Sequence, residues 1–506
     1  MKKKRIIIFT IMLFFILISA CILIVIFKED KPTISVDYGK KIDELTKPQN
    51  YDPNQNAASL IEQAIVICDH CEEFEMLRMY PETHQDWNLM RFEVVCENRV
   101  NEIQKQIDST MFKIAMDFIE QAAAKKFFWR QFRIIRHQNY WGDDFYDVEG
   151  LNYNIIVRSL VWRGRLLEHN GEIEKAISDH VNAYKISNFL PDKIQNSYSF
   201  YADEKKIVFR NLVDIIHRNP IKAKILLKTQ QEIENLPHDD MDLCIEASRL
   251  MCLDTIQRSF TDDGNGNGKV IITSFINYRK SQSSWKRDCE NDLKLLYDDI
   301  RYYEQRVKSI KNSIDDRKIT IKKINKAYDM TKKLYKQTPC QVQKTTGIIQ
   351  ERPISKIAGN NYYVFSQHVE YYDIYQHYHE SICHDQALVT ILAIKRYKAE
   401  NDSYPASLKE LLEEGYIKKI PMDPYSDKPL VYKITDKVFI LYSVGRDFTD
   451  DGGKYNESEK WEETKKGSDY IFYPVGPKEK ETKENTWITP YFTDPNYDPN
   501  DESSRH

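Results

Sequence analysis

At 506 residues and 60.0 kDa, the chain is too long for one ordinary hydrophobic core, so two or three domains with linkers are expected. A 41% hydrophobic share excludes wholesale disorder, and 30% charged residues with only 16 glycines and 18 prolines favour helix over sandwich or barrel. A formal net charge of −4 provides no global field for nucleic acid, and no nucleic-acid partner is expected.

The chain opens on MKKKR, followed from Ile6 to Phe27 by 22 residues without a charge or a proline. As a helix this stretch is roughly 33 Å long, enough to cross the hydrocarbon layer. The basic residues ahead of it, against a balanced Lys28-Glu29-Asp30-Lys31 behind, place residues 1–5 in the cytoplasm and the rest outside. An alternative anchor is a lipoprotein signal, because Ile18-Ser19-Ala20-Cys21 has lipobox form, although Ile22 to Phe27 continues the apolar run. Both place the body on the outer side of the membrane. Setting Cys21 aside from the nine cysteines leaves an even number, which permits pairing in an oxidising compartment.

Residues 28–56 read as a linker, polar and broken by Pro48 and Pro53. Helical periodicity then runs through 57–260, with Ile61, Ala64, Ile65 and Cys68 on one face and Met111, Ile114, Ala115 and Phe118 on another. Within it, Gly171, Ala176 and Ala183 in the segment 160–190 resemble a tetratricopeptide-type hairpin, where small residues let two helices approach beside a tight turn. No copy follows at about 34 residues, so the hairpin stands within an irregular helical body.

Thr261 to Lys269 reads TDDGNGNGK, in a loop and connection spanning 261–283. Asp263, Asn265 and Asn267 match the first half of an EF-hand loop and are candidate calcium ligands, although Ser274 stands where the bidentate acid belongs. Over 284–340, Leu293, Leu296, Ile300, Tyr303, Val307, Ile310 and Ile314, then Ile321, Ile324 and Tyr328, form a coiled-coil seam, intramolecular or between chains, which Arg317 interrupts. Lysines crowd 308–336 as a solvated helical face. A second linker is expected over 341–365.

Two further clusters carry potential chemistry. Cys68-Asp69-His70-Cys71 has the CxxC spacing of thiol redox and metal sites, in a helical context that also suits buried thiols or a structural disulfide. His377, Glu380 and His384 share a helix face and are candidate metal ligands. No P-loop, dinucleotide fingerprint or nucleophile elbow is present, and no small-molecule substrate is evident.

Over 366–474 an amphipathic helix, QALVTILAIKRYKAEN, runs into Asp402-Ser403-Tyr404-Pro405, a short helix at 407–414, and Pro421-Met422-Asp423-Pro424-Tyr425. Strand-like Leu430 to Tyr432 and Val438 to Tyr442 follow, then Ser443-Val444-Gly445-Arg446-Asp447-Phe448-Thr449-Asp450-Asp451-Gly452-Gly453. This order resembles the globular domain of the type II secretion major pseudopilins, and the whole chain looks like bacterial envelope proteins that append such a domain to a helical body. The resemblance implies a small sheet and a loop that binds calcium through the Val444 carbonyl, Asp447 and the later acid Asp469; Asp450 and Asp451 are further oxygen donors of the kind calcium prefers. A lysine-bearing insertion separates Gly453 from Asp469, and Phe9-Thr10 lacks the glutamate of the pseudopilin start, so a polymerising pilus subunit is not expected. Residues 475–506 read as a disordered polar tail.

The expected architecture is therefore mainly α: a transmembrane helix, an irregular helical body and a small α+β pseudopilin-like terminal domain. The expected role is a non-enzymatic, membrane-anchored extracytoplasmic scaffold for protein partners. A thiol- or metal-dependent envelope enzyme and an accessory of a type II secretion-like system are the alternatives.

Overall fold

The computed structural model describes residues 32–71, 74, 104–131, 153–189, 195–237, 240–271, 314–346, 357, 371–435, 438–454 and 469–474. The expected span at 6–27 with Cys21, the seam from Leu293 to Ile310, the 455–468 insertion and the tail lie outside the described residues. Among the described residues no helix is long and apolar enough to cross a membrane.

The fold is mainly helical with a small antiparallel sheet near its C-terminus. Helix α1 (Tyr38–Thr46) forms inside the stretch expected to be a linker, capped by Asp37 accepting the Lys40 N–H. The body continues with α2 (Ala58–His70), α3 (Thr110–Ala123), α4 (Tyr153–His169), α5 (Ile173–Phe189), α6 (Gln195–Arg218), α7 (Ala223–Glu234) and α8 (Met241–Ser259). Next come α9 (Arg317–Tyr335), α10 (Pro339–Thr346), the 31-residue α11 (Tyr371–Asn401) and the short α12 (Leu408–Glu413). Strands β1 (Met422–Asp423) and β2 (Lys428–Pro429) form a two-residue ladder, and β3 (Val431–Ile434), β4 (Phe439–Ser443) and β5 (Tyr470–Tyr473) form a three-stranded antiparallel sheet in that order.

Ile61, Ala64, Ile65 and Cys68 are all fully buried, as the periodicity of α2 requires. In α3 the buried set is Phe112, Ala115, Met116, Ile119, Ala122 and Ala123, while Ile114 is exposed. That helix is apolar on more than one side, and packing against α2, not its own sequence, selects the face.

The tetratricopeptide-like segment forms the α4–α5 hairpin, closed by Gly171 in the left-handed region with the Glu172 N–H donating to the Leu167 carbonyl. Its closest approach is at Gly164, which the sequence pattern did not single out. A Cβ there would lie 2.4 Å from His180 Cε1 and 3.3 Å from the Ala176 carbonyl oxygen. Gly164→Ala is therefore expected to cost about 2 kcal/mol, as overpacking typically does; a urea denaturation curve superimposable on the wild type's would refute that tight contact.

Two apolar clusters organise these elements. The smaller joins α8, α9, α10 and the start of α11 through Ile256, Phe260, Ile324, Tyr328, Val342 and Tyr375. Ile324 and Tyr328 of the expected seam thus pack within the chain, and Arg317 begins α9. The larger cluster runs from α2 through α7, along α11 from Cys383 to Tyr397, and into the terminal sheet at Phe439, Leu441, Phe472 and Tyr473. Helical body and terminal sheet share one continuous core.

Candidate functional site

The terminal unit is set by turn chemistry at each junction. α11 stops at Asn401, where Asp402 takes a positive φ ahead of Tyr404-Pro405. Ser407 then caps α12 by accepting the Glu410 N–H, and Glu410 Oε2 accepts the Ala406 N–H in return, a reciprocal cap. Tyr432 on β3 donates its hydroxyl to the Pro405 carbonyl, 2.8 Å away, tying the sheet to that turn.

Asp423 organises the loops beyond. It is fully buried, and its Oδ1 accepts the Tyr425 N–H (3.0 Å) and Ser443 hydroxyl (2.8 Å), while Oδ2 accepts the Val444 N–H (3.0 Å) and Ser426 hydroxyl (3.2 Å). Burial raises its carboxyl above the usual range despite these donors. One side chain therefore fixes the proline-flanked turn to the Ser-x-Gly loop. Asp423-Pro424 reads in the sequence as a turn initiator; the buried carboxylate that joins this turn to the Ser443 loop is visible only in the fold.

The acidic loop follows. Asp469, at the start of β5, accepts the Asp451 N–H at Oδ1 (3.2 Å) and the Gly453 N–H at Oδ2 (2.7 Å). Gly452 and Gly453 both have positive φ, so the chain doubles back there to present those amides. Burial, then the neighbouring charges of Asp450 and Asp451, raise the Asp469 carboxyl. Asp450 moves the other way: burial opposes its charge, but the Gly452 N–H, the Tyr442 hydroxyl (2.8 Å) and the Lys433 and Lys428 ammonium groups outweigh that. Asp451 Oδ2 is buried and has no hydrogen-bond partner among the described residues. Asp447 caps its own turn, Oδ1 accepting the Thr449 N–H at 3.0 Å, and the Val444 side chain is buried.

Asp450, Asp451 and Asp469 are thus brought together, with one buried carboxylate oxygen that has no hydrogen-bond partner among the described residues. A buried carboxylate oxygen is costly to leave unpaired, and a hard cation is one group that would satisfy it. Among the described residues no set of three His, Cys, Asp or Glu side chains forms a ready metal-ligand group. A cation here would accordingly depend on backbone carbonyl and water oxygens beside Asp451 and Asp469, as calcium sites permit.

The other sequence candidates are placed differently. The Asp262-Asp263 loop is closed on itself: Asp263 Oδ1 accepts the Asn265 and Asn267 amides, and Asp262 accepts those of Gly264 and Gly266. Arg317 Nη1 sits 2.6 Å from Asp262 Oδ2, so a guanidinium provides the positive charge beside the loop. The carboxylate of Asp263 turns towards the backbone amides of Asn265 and Asn267, and the second half of the expected calcium loop, at Ser274, lies outside the described residues.

His377, Glu380 and His384 share α11 without converging on a common point. His384 is buried, its Nδ1–H donating to the Glu380 carbonyl (2.8 Å) and its Nε2 accepting the Tyr470 hydroxyl (3.0 Å), which uses both nitrogens. Glu380 accepts from Arg446 Nε (2.8 Å) and the Tyr425 hydroxyl (3.2 Å). This pair serves as a structural joint between α11, the sheet and the Arg446 loop. In the CxxC segment, Cys68 is fully buried in the α2 core and Cys71 caps the helix end, and among the described residues no disulfide joins Cys68, Cys71, Cys244, Cys252, Cys340 and Cys383 to one another. Burial pushes Cys252 up to about 12 and Cys383 well above the ordinary thiol range, away from nucleophilic character.

Buried polar contacts join the terminal unit to the body. Lys205 on α6 donates to Asn188 Oδ1 (3.0 Å), Ser381 Oγ (3.0 Å) and Asp385, with a nearest carboxylate oxygen at 2.8 Å. Asp385 also accepts the Tyr184 hydroxyl from α5. His217 at the end of α6 meets the Tyr473 hydroxyl at 2.9 Å, Gln230 on α7 donates to the Tyr416 carbonyl at 2.8 Å, and Phe209 packs edge-on to His384 and Phe472. No protein-family model, curated protein or solved structure matches the chain.

Proposed function

We propose that this chain is a membrane-anchored extracytoplasmic scaffold, in which Ile6 to Phe27 holds a helical body at the outer side of the bilayer. That body carries a pseudopilin-like, calcium-stabilised terminal unit for protein partners. The observation that carries this reading is the continuous core between body and sheet. A head built into its support by Lys205, Asp385, His384 and Tyr473 is suited to fixed presentation and poorly suited to sliding into a pilus.

Membrane placement is tested by fractionating cells that express a C-terminally tagged full chain. The tag should remain with membranes through an alkaline wash, and trypsin added to intact spheroplasts should cut the body. A tag found wholly in the cytosol would end the proposal.

Calcium would be held by Asp451 and Asp469 with backbone oxygens, where it would offset the burial, and then the Asp450 and Asp451 charges, that raise the Asp469 carboxyl. At about a hundredfold excess over its Kd, a cation bound only by the folded state adds about 2.7 kcal/mol. Calcium is therefore expected to raise the thermal midpoint of the full chain and a chelator to reverse the shift. Asp451→Asn, which offers an amide where Oδ2 is orphaned, should remove the response while leaving the fold intact. An equal calcium response in the variant would dismiss this site.

A further inference from the structure

The segment leading out of the expected span is clasped to the body almost at once. Gln257 on α8 accepts the Ser35 and Val36 N–H groups at its Oε1 (3.3 and 3.2 Å) and donates from Nε2 to the Val36 carbonyl (2.7 Å). Gln257 is itself buried and held by Asp254 at 2.6 Å, so this clasp is built into the core of the α8 region. Only seven residues lie between Phe27 and Ser35, and the eight steps from one to the other reach about 28 Å at full extension. If Ile6 to Phe27 crosses the bilayer, the C-terminal end of α8 lies close to its surface.

α9 runs antiparallel to α8, as Arg317 with Asp262, Arg249 with Asn325, Lys332 with Glu246 and Lys336 with Asp242 record in order along the pair. The N-terminal end of α9 therefore sits beside the clasp, and Tyr38 lies within the electrostatic reach of Arg317, Arg249 and Asp254. Lys318, Lys322, Lys326 and Lys333 are exposed along this helix. At 100° per residue their positions fall within one face, roughly 22 Å long. Lysines on the flanks are neutralised, Lys323 by Asp315 at 2.7 Å and Lys332 by Glu246 at 3.1 Å. The four on the outer face have no ion-pair partner among the described residues, and Asp329 is the one carboxylate sharing their face. Two large apolar side chains are exposed in the same quarter, Ile319 on α9 (46%) and Ile34 next to the clasp (54%).

We propose that the Lys318, Lys322, Lys326 and Lys333 face of α9, with Ile319 at its end, lies on the anionic phospholipid headgroups of the bilayer that the N-terminal segment spans. The inference rests on the anchored reading of the chain. Charge complementarity and the short tether select this occupant over a soluble one: the tether keeps this end of α9 within about 28 Å of the surface, and each lysine that reaches it adds roughly fivefold to partitioning onto an anionic leaflet. A basic face with an apolar residue at its edge is the composition of helices that lie in the interface plane. The consequence is a fixed orientation, with α9 against the lipid.

The test uses the full chain reconstituted into nanodiscs of phosphatidylcholine alone or of an equal mixture with phosphatidylglycerol, with acetylation of individual lysines followed by mass spectrometry. Labelling of Lys318, Lys322, Lys326 and Lys333 should slow about fivefold in the anionic discs and recover in high salt, while exposed Lys222 and Lys224 near α7 stay unchanged. Equal labelling in the two discs by incorporated chain would overturn this orientation and leave the anchor standing. Protection by heparin without protection by anionic lipid would assign the face to a soluble polyanion and overturn it too. A chain that fails to incorporate would overturn both the anchor and the orientation.

Discussion

Lys205→Met is expected to lower the unfolding free energy of the full chain by about 3 kcal/mol, because it strips the partner from a largely buried charge. Lys205 is buried, and its three N–H donors meet three acceptors, Asn188, Ser381 and Asp385. The methionine variant keeps the volume but removes the donor that Asn188, Ser381 and Asp385 share, leaving Asp385 with the Tyr184 hydroxyl. Lys205→Met combined with Asp385→Leu should recover part of the loss, since replacing both partners by apolar groups removes the uncompensated charge. Urea denaturation supplies the comparison. A single variant within about 0.5 kcal/mol of wild type, the range of ordinary surface changes, would mean that Lys205 does not weld the body to α11.

Acidification from pH 7 to pH 5 should cost about 2 kcal/mol for each buried histidine held neutral in the fold. Burial first, and then the Arg165 charge, lower His180 to about 3; burial lowers His379 to about 4. His384 is also held well below its ordinary value by burial and by the Lys206, Arg210 and Lys205 charges. Their folded pKa values lie below the unfolded value, so their stabilisation is intact above about pH 6.5. It is lost as pH falls from there towards the folded values, because only the unfolded chain takes up the protons. Asp179, Asp423 and Asp469, all raised by burial, begin to offset the loss once pH enters the carboxylate range. Between pH 6 and 5 the slope should approach about three protons bound on unfolding. A stability that is flat across that interval would show these imidazoles to be hydrated and titrating normally.

Much of this fold was legible as local pattern. The spacing of Ile61, Ala64, Ile65 and Cys68 marks the buried face of α2, and Tyr404-Pro405 with Ser407 and Glu410 marks the break between α11 and α12. The expected strands at 430–432 and 438–442 fall within a residue or two of β3 and β4. Contacts between distant parts of the chain were not legible. Nothing near Gly164 announces that His180 will fill the space above it, and nothing near His384 announces the Tyr470 hydroxyl. His377, Glu380 and His384 look like a metal face because helical spacing aligns them; the partners that occupy Glu380 and His384 come from β5 and the Arg446 loop, which periodicity cannot supply. The stretch expected as a linker holds α1, capped by its own Asp37 and held against α8 beside the Gln257 clasp. In the acidic loop the residues were legible and their arrangement was not: Asp469 is separated from Asp451 by the long insertion, and only the fold returns it to the Asp451 and Gly453 amides.

Hydrogen exchange of the full chain, read peptide by peptide at increasing urea, addresses the union of body and terminal sheet most directly. Amides of β4 and β5 should lose protection in the same cooperative opening as those of α5 and α6, and Lys205→Met should advance both together. Exchange of β4 and β5 through a separate, lower-energy opening that leaves α5 and α6 protected would contradict it, and would make the terminal unit an independent head on a separate helical body.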